Sequence, residues 1–153
     1  MHEAPSLKRF FEADHEKLDQ RFVNYMKLKN ESYPRAVDCF FLLKTGLHRH
    51  ILWEEEIIFP LFLKKTDNER AIRVMRLEHR RILEILDDLT EKIQHGNRRT
   101  EAEEYQLLFL LGEHALNEEM VLYPAIDAMI TLEESEEAFR QLNDGVSTDK
   151  RAS

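Results

Sequence analysis

A chain of 153 residues, 34% of them charged and with a formal net charge of −8, has the size of one ordinary domain. Only 4 Gly and 4 Pro leave little material for the turns of an all-β fold, so the composition predicts long helices around a single core. Acidic and basic residues are intermixed, and no run approaches about 20 apolar residues. We therefore expect neither a nucleic-acid-binding face nor a membrane span.

Cysteine content and the first residues indicate the cellular compartment. Cys39 has no second thiol to pair with, so no internal disulfide and no cysteine metal site is predicted. Beside two Phe residues it is interpreted as a small core side chain. Residues 1–11 are too polar for a secretory signal, and we expect a cytoplasmic protein.

The first two helices follow from apolar residues spaced three or four apart. The first is predicted from about Pro5 to Lys29. The second starts at Pro34, since proline is tolerated in a first turn, and runs to about Lys65. Pro60 should kink or loosen its last turn.

The next two helices are delimited by capping residues. Asp67 is the predicted N-cap of the third helix, which ends just before Gly96. Thr100 with Glu103 reads as a capping box for the fourth helix, which runs to about Ile130. Its predicted core-facing stripe comprises Tyr105, Leu108, Leu111, His114 and Val121.

A second capping box, Thr131 with Glu134, predicts a short C-terminal helix. The domain is therefore expected to span residues 1–143, followed by a disordered polar tail at 144–153. Short connections favour antiparallel neighbours, so the predicted fold is an all-α, up-down-up-down four-helix bundle with a short C-terminal helix.

The strongest feature of the sequence is an internal repeat. Residues 50–60 match residues 114–124 without a gap at an offset of 64 residues, and the same offset relates His15 to His79. Each half thus carries one His on its first helix and, 35 residues later, a His-x-x-x-Glu motif on its second. The chain is predicted to be a duplicated helical hairpin.

The spacing within each motif indicates a metal site. Residues four apart share a helix face, so His50 with Glu54, and His114 with Glu118, can converge on one point. Buried polar groups cost several kcal/mol unless partnered, and metal ions would partner them all. Two bridging glutamates and two His per ion leave room for an oxo or hydroxo bridge and an exogenous molecule. Nitrogen and carboxylate ligands without thiolate suit iron or manganese, and zinc is chemically possible.

This order of motifs, with Phe-Pro or Tyr-Pro closing the second and fourth helices, resembles the hemerythrin-like, or HHE cation-binding, family over about residues 7–130. The resemblance implies a non-haem di-iron centre in an antiparallel four-helix bundle. It implies His15, His50, His79 and His114 as terminal ligands and Glu54 and Glu118 as bridging ligands.

One position departs from the oxygen-carrying members, which have a fifth histidine in a His-x-x-x-His pair on the third helix. Four residues either side of His79 stand Met75 and Leu83. The resemblance therefore implies a more open, more symmetric centre, like those of branches linked to iron sensing, nitric oxide stress and iron–sulfur repair. No cysteine-bearing extra domain of the repair proteins is found in this sequence.

Other polar and aromatic residues near the motifs receive simpler interpretations. Surface positions are predicted for His2, His48, His95, Glu55, Glu56 and Glu119, and packing roles for Trp53, Phe59 and Tyr123. A spacing of five from His is also used in the family, so Glu119 is an alternative ligand, and a redox role is the remote alternative for Tyr123. Asp19 is either a surface charge or a hydrogen-bond acceptor or extra ligand near His15.

Three functions fit this pattern. The leading hypothesis is a di-iron protein that binds or senses oxygen, nitric oxide or peroxide, with an unidentified protein partner if it signals. The second is a di-iron redox enzyme, or an iron donor in nitric oxide or peroxide stress and iron–sulfur cluster repair. The third is a metal-free interaction bundle. The sequence has no nucleophile triad and no phosphate-binding Gly loop, which argues against hydrolases and nucleotide-binding proteins.

Overall fold

The computed structural model describes the backbone of residues 5–152 and the side chains of residues 5–144. This part of the chain forms five helices and no strand, so the all-α prediction is confirmed. No helix within it is both long enough and apolar enough to cross a membrane. The helices are α1 (Leu7–Glu31), α2 (Tyr33–Trp53, a π-helical turn Glu54–Ile58, then Phe59–Thr66), α3 (Glu69–Gln94), α4 (Glu101–Asn117, a π-helical turn Glu118–Leu122, then Tyr123–Met129) and α5 (Leu132–Ala152).

Two helix starts differ from the prediction. Asn68 caps α3, because its side chain accepts a hydrogen bond from the Ala71 N–H. The predicted cap, Asp67, instead ends α2 with a φ of 55°, in the left-handed region that Asp tolerates better than most residues. Thr100 precedes α4 as predicted but makes no capping bond, since its hydroxyl donates to the buried carboxylate of Glu104.

The remaining helix ends follow the local sequence. Gly96 follows α3 with a φ of 72°, as a glycine after a helix commonly does. Thr131 and Glu134 accept from each other's backbone N–H groups, so this capping box is confirmed. The helix α5 is longer than predicted and ends at Ala152, because one Gly costs only about 1 kcal/mol and no Pro intervenes. Disorder of residues 144–153 stays a prediction, since their side chains lie almost entirely outside the described part.

The prediction of which face α4 buries was wrong in part. Tyr105, Leu108 and Val121 are 67%, 47% and 56% exposed. The first segment of the helix buries His114 as predicted, together with Leu107 and the Glu104 carboxylate, which were not predicted to face the core. Apolar residues lie on all sides of α4, so their spacing alone could not identify the inward face.

Two apolar clusters fill the interior, and the predicted ligands lie between them along each helix. On α1, for example, Leu7 and Phe11 belong to one cluster and Leu18 and Phe22 to the other, with His15 between them. The helix α3 passes the two clusters in the same order, and α2 and α4 pass them in the opposite order. The histidines and glutamates therefore form a polar layer across a Leu-, Ile- and Phe-rich core.

A buried ion pair joins the end of α1 to the start of α4. Glu104 is 2% exposed. It accepts from the Tyr25 hydroxyl at 2.6 Å, the Lys29 Nζ at 2.9 Å and the Thr100 hydroxyl at 2.7 Å. Burial, with the hydrogen bond to Glu104, raises the pKa of Tyr25. Removing this carboxylate would leave the Tyr25 hydroxyl without its acceptor and the Lys29 ammonium without its buried counter-charge.

We expect Glu104→Ala to lower the free energy of unfolding by about 3–5 kcal/mol, the usual effect of breaking a buried pair. Glu101→Ala is the matched control, because Glu101 is 65% exposed and lies 3.8 Å from the same Lys29 Nζ. It should cost less than about 1 kcal/mol. Urea unfolding followed by circular dichroism measures both, and equal losses would contradict the buried pair.

Candidate metal centre

Six side chains from four helices meet in the polar layer, and they are the six predicted ligands. They are His15, His50, Glu54, His79, His114 and Glu118. Their nitrogen and oxygen atoms form two groups, within each of which all ligand atoms lie within 4.8 Å of one another. One group is Glu54, His79, His114 and Glu118, and the other is His15, His50 and Glu118. Glu118 belongs to both groups.

Contacts within and between the two halves follow the repeat. Within a motif, His50 Nε2 lies 3.4 Å from Glu54 Oε1, and His114 Nε2 lies 3.1 Å from Glu118 Oε2. Between halves, His79 Nε2 lies 3.1 Å from Glu54 Oε1, and His15 Nε2 lies 3.2 Å from Glu118 Oε1. Each glutamate therefore contacts a histidine of its own helix and one from the other half.

Both glutamates begin a π-helical turn just before a proline. Pro60 and Pro124 lack the N–H that an α-helix would use at their positions. The backbone N–H of Phe59 bonds to the carbonyl of Glu54, and that of Tyr123 to the carbonyl of Glu118. This i to i+5 pattern brings residues five apart onto one face. It places Tyr123 over Glu118, which α-helical spacing would not do.

Each histidine presents Nε2 to the centre and Nδ1 to an outer carboxylate. The Nδ1 atoms of His50, His114 and His79 donate to Asp14 at 2.7 Å, Glu78 at 2.8 Å and Glu55 at 2.9 Å, respectively. His15 Nδ1 lies 3.4 Å from Glu119 Oε1, an ion-pair distance. Outer carboxylates of this kind orient metal-bound imidazoles and raise their basicity.

The outer carboxylates are what the sequence interpretation missed. Glu55 and Glu119 were predicted to be surface residues. Each is instead half-buried, and its carboxylate lies beside a histidine ring nitrogen. A signal existed, because Asp14 and Glu78 are 64 residues apart and so are Glu55 and Glu119. Each pair directly flanks a ligand in both halves. Glu56 is exposed as predicted.

Two imidazoles of the centre hold their protons more tightly because of the carboxylate beside them. Burial alone would lower the pKa of His15 and of His114, but the adjacent carboxylate of Glu118 raises both, that of His114 to about 12. Burial would raise the pKa of Glu54, yet the His50 charge and several hydrogen bonds hold it well below its ordinary value. Cations bound here would take the place of these protons.

The donor set fits a metal ion. His114 Nε2 and Glu118 Oε2 are buried and, although 3.1 Å apart, have no hydrogen-bond partner in the described part of the chain. Unpaired buried polar atoms are rare and call for an explanation such as an ion. Two donor atoms that each lie about 2.1 Å from one ion, with a right angle between them at the ion, are about 3 Å apart. The observed distances between the histidine nitrogens and carboxylate oxygens are close to this value. Nitrogen and carboxylate oxygen without thiolate suit iron, manganese or zinc.

A comparison with known families agrees with this geometry. The family described as hemerythrin HHE cation binding domain matches residues 7–126, a range that contains all six side chains. The chain belongs to the hemerythrin HHE cation-binding domain family. No curated protein and no solved structure matches it significantly.

Beside the predicted ligands of this hemerythrin HHE domain lies a cavity of about 30 Å³. That is room for one or two water-sized molecules. Its walls combine three of the histidines and Glu54 with apolar side chains. The apolar wall residues are Leu18, Leu47, Ile51, Ile82, Leu111 and Ala115. Asp19 also lines this cavity, and burial raises its pKa.

Tyr123 distinguishes the two halves of the HHE domain. Its hydroxyl donates to Glu54 Oε2 at 2.7 Å and lies 3.1 Å from Glu118 Oε1, so its role is not packing alone. At the equivalent position of the other half, Phe59 stacks on the His79 ring at 5.3 Å. Trp53 and Phe59 are buried packing residues as predicted.

The other singled-out residues lie away from the HHE centre. His48 and His95 are exposed as predicted, and His2 lies outside the described residues. Cys39 is partly buried against the core, and its thiol donates to the Arg21 carbonyl at 3.3 Å.

We expect Asp14→Asn to weaken metal binding by about 10- to 100-fold, because Asn cannot support the His50 ring as a charged acceptor. Glu16→Gln is the matched control on the same helix, since Glu16 is exposed and adjoins His15. Anaerobic competition with a chelator for ferrous iron gives both affinities. Equal affinities for the two variants would show that the outer carboxylate does not tune the ligand.

Proposed function

We propose that the chain holds two iron ions and binds or senses a small oxidant, namely oxygen, nitric oxide or peroxide. His15, His50, His79 and His114 would be terminal ligands, with Glu54 and Glu118 bridging. The observation that carries the proposal is that Glu118 is shared by two adjoining groups of nitrogen and oxygen donors. The small cavity beside these donors supports a diatomic or peroxide ligand.

The proposal includes an antiparallel, up-down-up-down arrangement of α1 to α4. Contacts at both ends of α1 support it. The backbone N–H of Leu7, at the start of α1, donates to Asp127 near the end of α4. Lys29, near the end of α1, contacts Glu104 near the start of α4. We also place the protein in the cytoplasm, where its lone Cys39 would stay reduced.

When bound, iron supplies a redox-active Lewis acid for a small ligand. The protein's own residues hold, orient and seal the site. The four outer carboxylates fix the ring orientation of the histidines. The apolar cavity wall restricts the site to molecules of a few heavy atoms and limits water. Tyr123 keeps a proton on its hydroxyl beside Glu54, because burial and both glutamates raise its pKa.

Metal content tests the proposal first. We would express the protein with added iron, purify it without chelators, and measure iron, manganese and zinc per chain together with the visible spectrum. About two irons per chain with the bands of a bridged ferric pair are expected. Folded protein that takes up no metal after anaerobic addition of ferrous iron would overturn the proposal and favour a metal-free interaction bundle.

The second candidate, a di-iron redox enzyme, is favoured by Tyr123. A hydroxyl that hydrogen-bonds both glutamates could deliver a proton during reduction of peroxide or nitric oxide. Tyr123→Phe is sterically mild, since Phe stands at the equivalent position 59. For a binding protein, we expect this variant to keep reversible ligand binding and two irons per chain.

Turnover with an added reductant distinguishes the two candidates. A rate in the native protein that falls at least about tenfold in Tyr123→Phe would establish the enzyme. Tyr105→Phe, at an exposed tyrosine of the same helix, is the control. Transfer of iron to a damaged iron–sulfur protein would indicate the repair role instead.

A further inference from the structure

The solvent side of α4 carries an apolar face that the described residues leave uncovered. Steps of three and four residues align Tyr105, Phe109, Gly112, Leu116 and Met120, with Leu108 beside them. The five side chains other than Gly112 are between 47% and 70% exposed. His114 and Glu118 lie on the opposite side and point into the polar layer. We call these six residues the outer face of α4.

The area of the outer face suits a protein interface. A whole aromatic side chain has a surface of about 150–250 Å². Five large side chains that are each roughly half to two-thirds exposed therefore present about 600 Å² together. This is at the upper limit for the largest apolar patch on a typical monomer. A standard interface buries about 800 Å² on each partner, which the outer face and its rim would provide.

Gly112 lies at the middle of the outer face, and packing within the chain does not require it. An added Cβ at Gly112 would meet no atom within 4 Å. At Gly46, by contrast, a Cβ would lie 2.7 Å from Leu18 on the neighbouring helix. A glycine inside an exposed helix costs about 1 kcal/mol relative to Ala. A glycine at position 112 is explained if a second helix crosses α4 closely at this point.

Charges beside the outer face indicate which partner would fit. The side of α3 next to α4 carries exposed residues at alternating steps of four and three, and their sign changes along the helix. In order they are Arg70, Val74, Leu77, Arg81, Glu84, Asp88 and Glu91. The first half of this row is basic and apolar, and the second half is acidic. Arg81 and Glu84, at the boundary, already pair with each other at 3.4 Å, so the charge difference lies between Arg70 at one end and Asp88 and Glu91 at the other. Contacts of Glu78 with His114 and of Lys92 with Glu103 place Gly112 beside the middle of the row.

We propose that the outer face of α4 is the interface of a homodimer in which two α4 helices cross antiparallel at Gly112. A two-fold axis there brings the acidic half of the α3 row of one protomer to the basic half of its partner's row. A parallel pairing would leave the two acidic halves at the same end of the dimer. Charge complementarity along α3 thus selects a second, antiparallel copy of this chain as the occupant.

The mass of the full chain in solution tests the interface. Sedimentation velocity at about 50 µM should give a dimer, twice the 18.3 kDa chain mass. The double variant Phe109→Glu and Leu116→Glu should be monomeric, with unchanged helicity and metal content. The matched control carries glutamates at Val23 and Leu42, each 58% exposed on other helices, and should remain dimeric.

Crosslinking tests the orientation, in a Cys39→Ser background. Tyr105 and Met120 are about 20 Å apart along α4, so Tyr105→Cys and Met120→Cys chains should form a disulfide when mixed and not separately. Self-crosslinking of Tyr105→Cys alone would overturn the antiparallel pairing. A native chain that is monomeric at about 50 µM, or a double variant that is still dimeric, would overturn the interface. The monomeric result would leave the outer face to a different protein.

Discussion

Replacing Glu118 with Ala should remove both metal ions, a larger loss than any other single ligand change should cause. Glu118 is the side chain that belongs to both groups of donor atoms, whereas Glu54 belongs to one of them. Its loss would leave His15 and His114 without their shared carboxylate. We expect bound iron to fall from about two per chain to well under one, and Glu54→Ala, which removes the other proposed bridge, to lower it less.

Thermal unfolding with and without a chelator separates metal loss from packing loss. An ion present at 100 times its dissociation constant stabilises a fold by about 2.7 kcal/mol, so two sites contribute about 5 kcal/mol. Chelator should therefore lower the melting temperature of the native protein strongly and that of Glu118→Ala hardly at all. Glu113→Ala, at an exposed glutamate of α4, should behave like the native protein. If Glu118→Ala kept two ions per chain, a bridging role for Glu118 would be excluded.

That these six side chains would meet could be predicted from sequence, because the duplication repeats the signal. A single His on an apolar helix face is ambiguous, but His15 and His79 share the 64-residue offset of the two His-x-x-x-Glu motifs. Four-residue spacing on one helix is a local property, and it places His50 beside Glu54 without knowledge of the fold. The structure brings these residues together as that pattern required.

Features that depend on contacts between helices were not predictable in the same way. The His50 to Asp14 bond joins residues on different helices, and only the packed bundle shows which acidic neighbour of a ligand faces a ring. The π-helical turn at Glu118 shifts the following residues, so α-helical spacing misplaces Tyr123. On α4, apolar residues lie on both sides, and spacing could not separate core from outer face.

Rising pH should destabilise the metal-free protein and strengthen its metal binding. In the folded chain the pKa of His114 is raised to about 12 from an ordinary value of 6.5, and that of His15 is raised as well. A raised pKa stabilises the fold fully below about pH 6.5, and this contribution is lost as pH rises toward the folded value. The pKa values of Asp14, Glu54 and Glu78 are lowered, so these carboxylates stabilise the fold above about pH 4.5. That stabilisation is lost as pH falls below this value. The metal-free chain should therefore be most stable near pH 5–6.

Urea unfolding between pH 6.5 and pH 9 measures this, once with chelator and once with manganese as a redox-stable divalent ion. With chelator, stability should fall by up to about 1.4 kcal/mol per pH unit for each proton that only the folded state retains. Bound metal displaces those protons, so the stabilisation contributed by manganese should grow with pH. In Glu118→Ala both slopes should flatten, because the carboxylate that raises the pKa of His15 and His114 is gone. Parallel pH profiles with and without metal would mean that these histidines do not exchange protons for an ion.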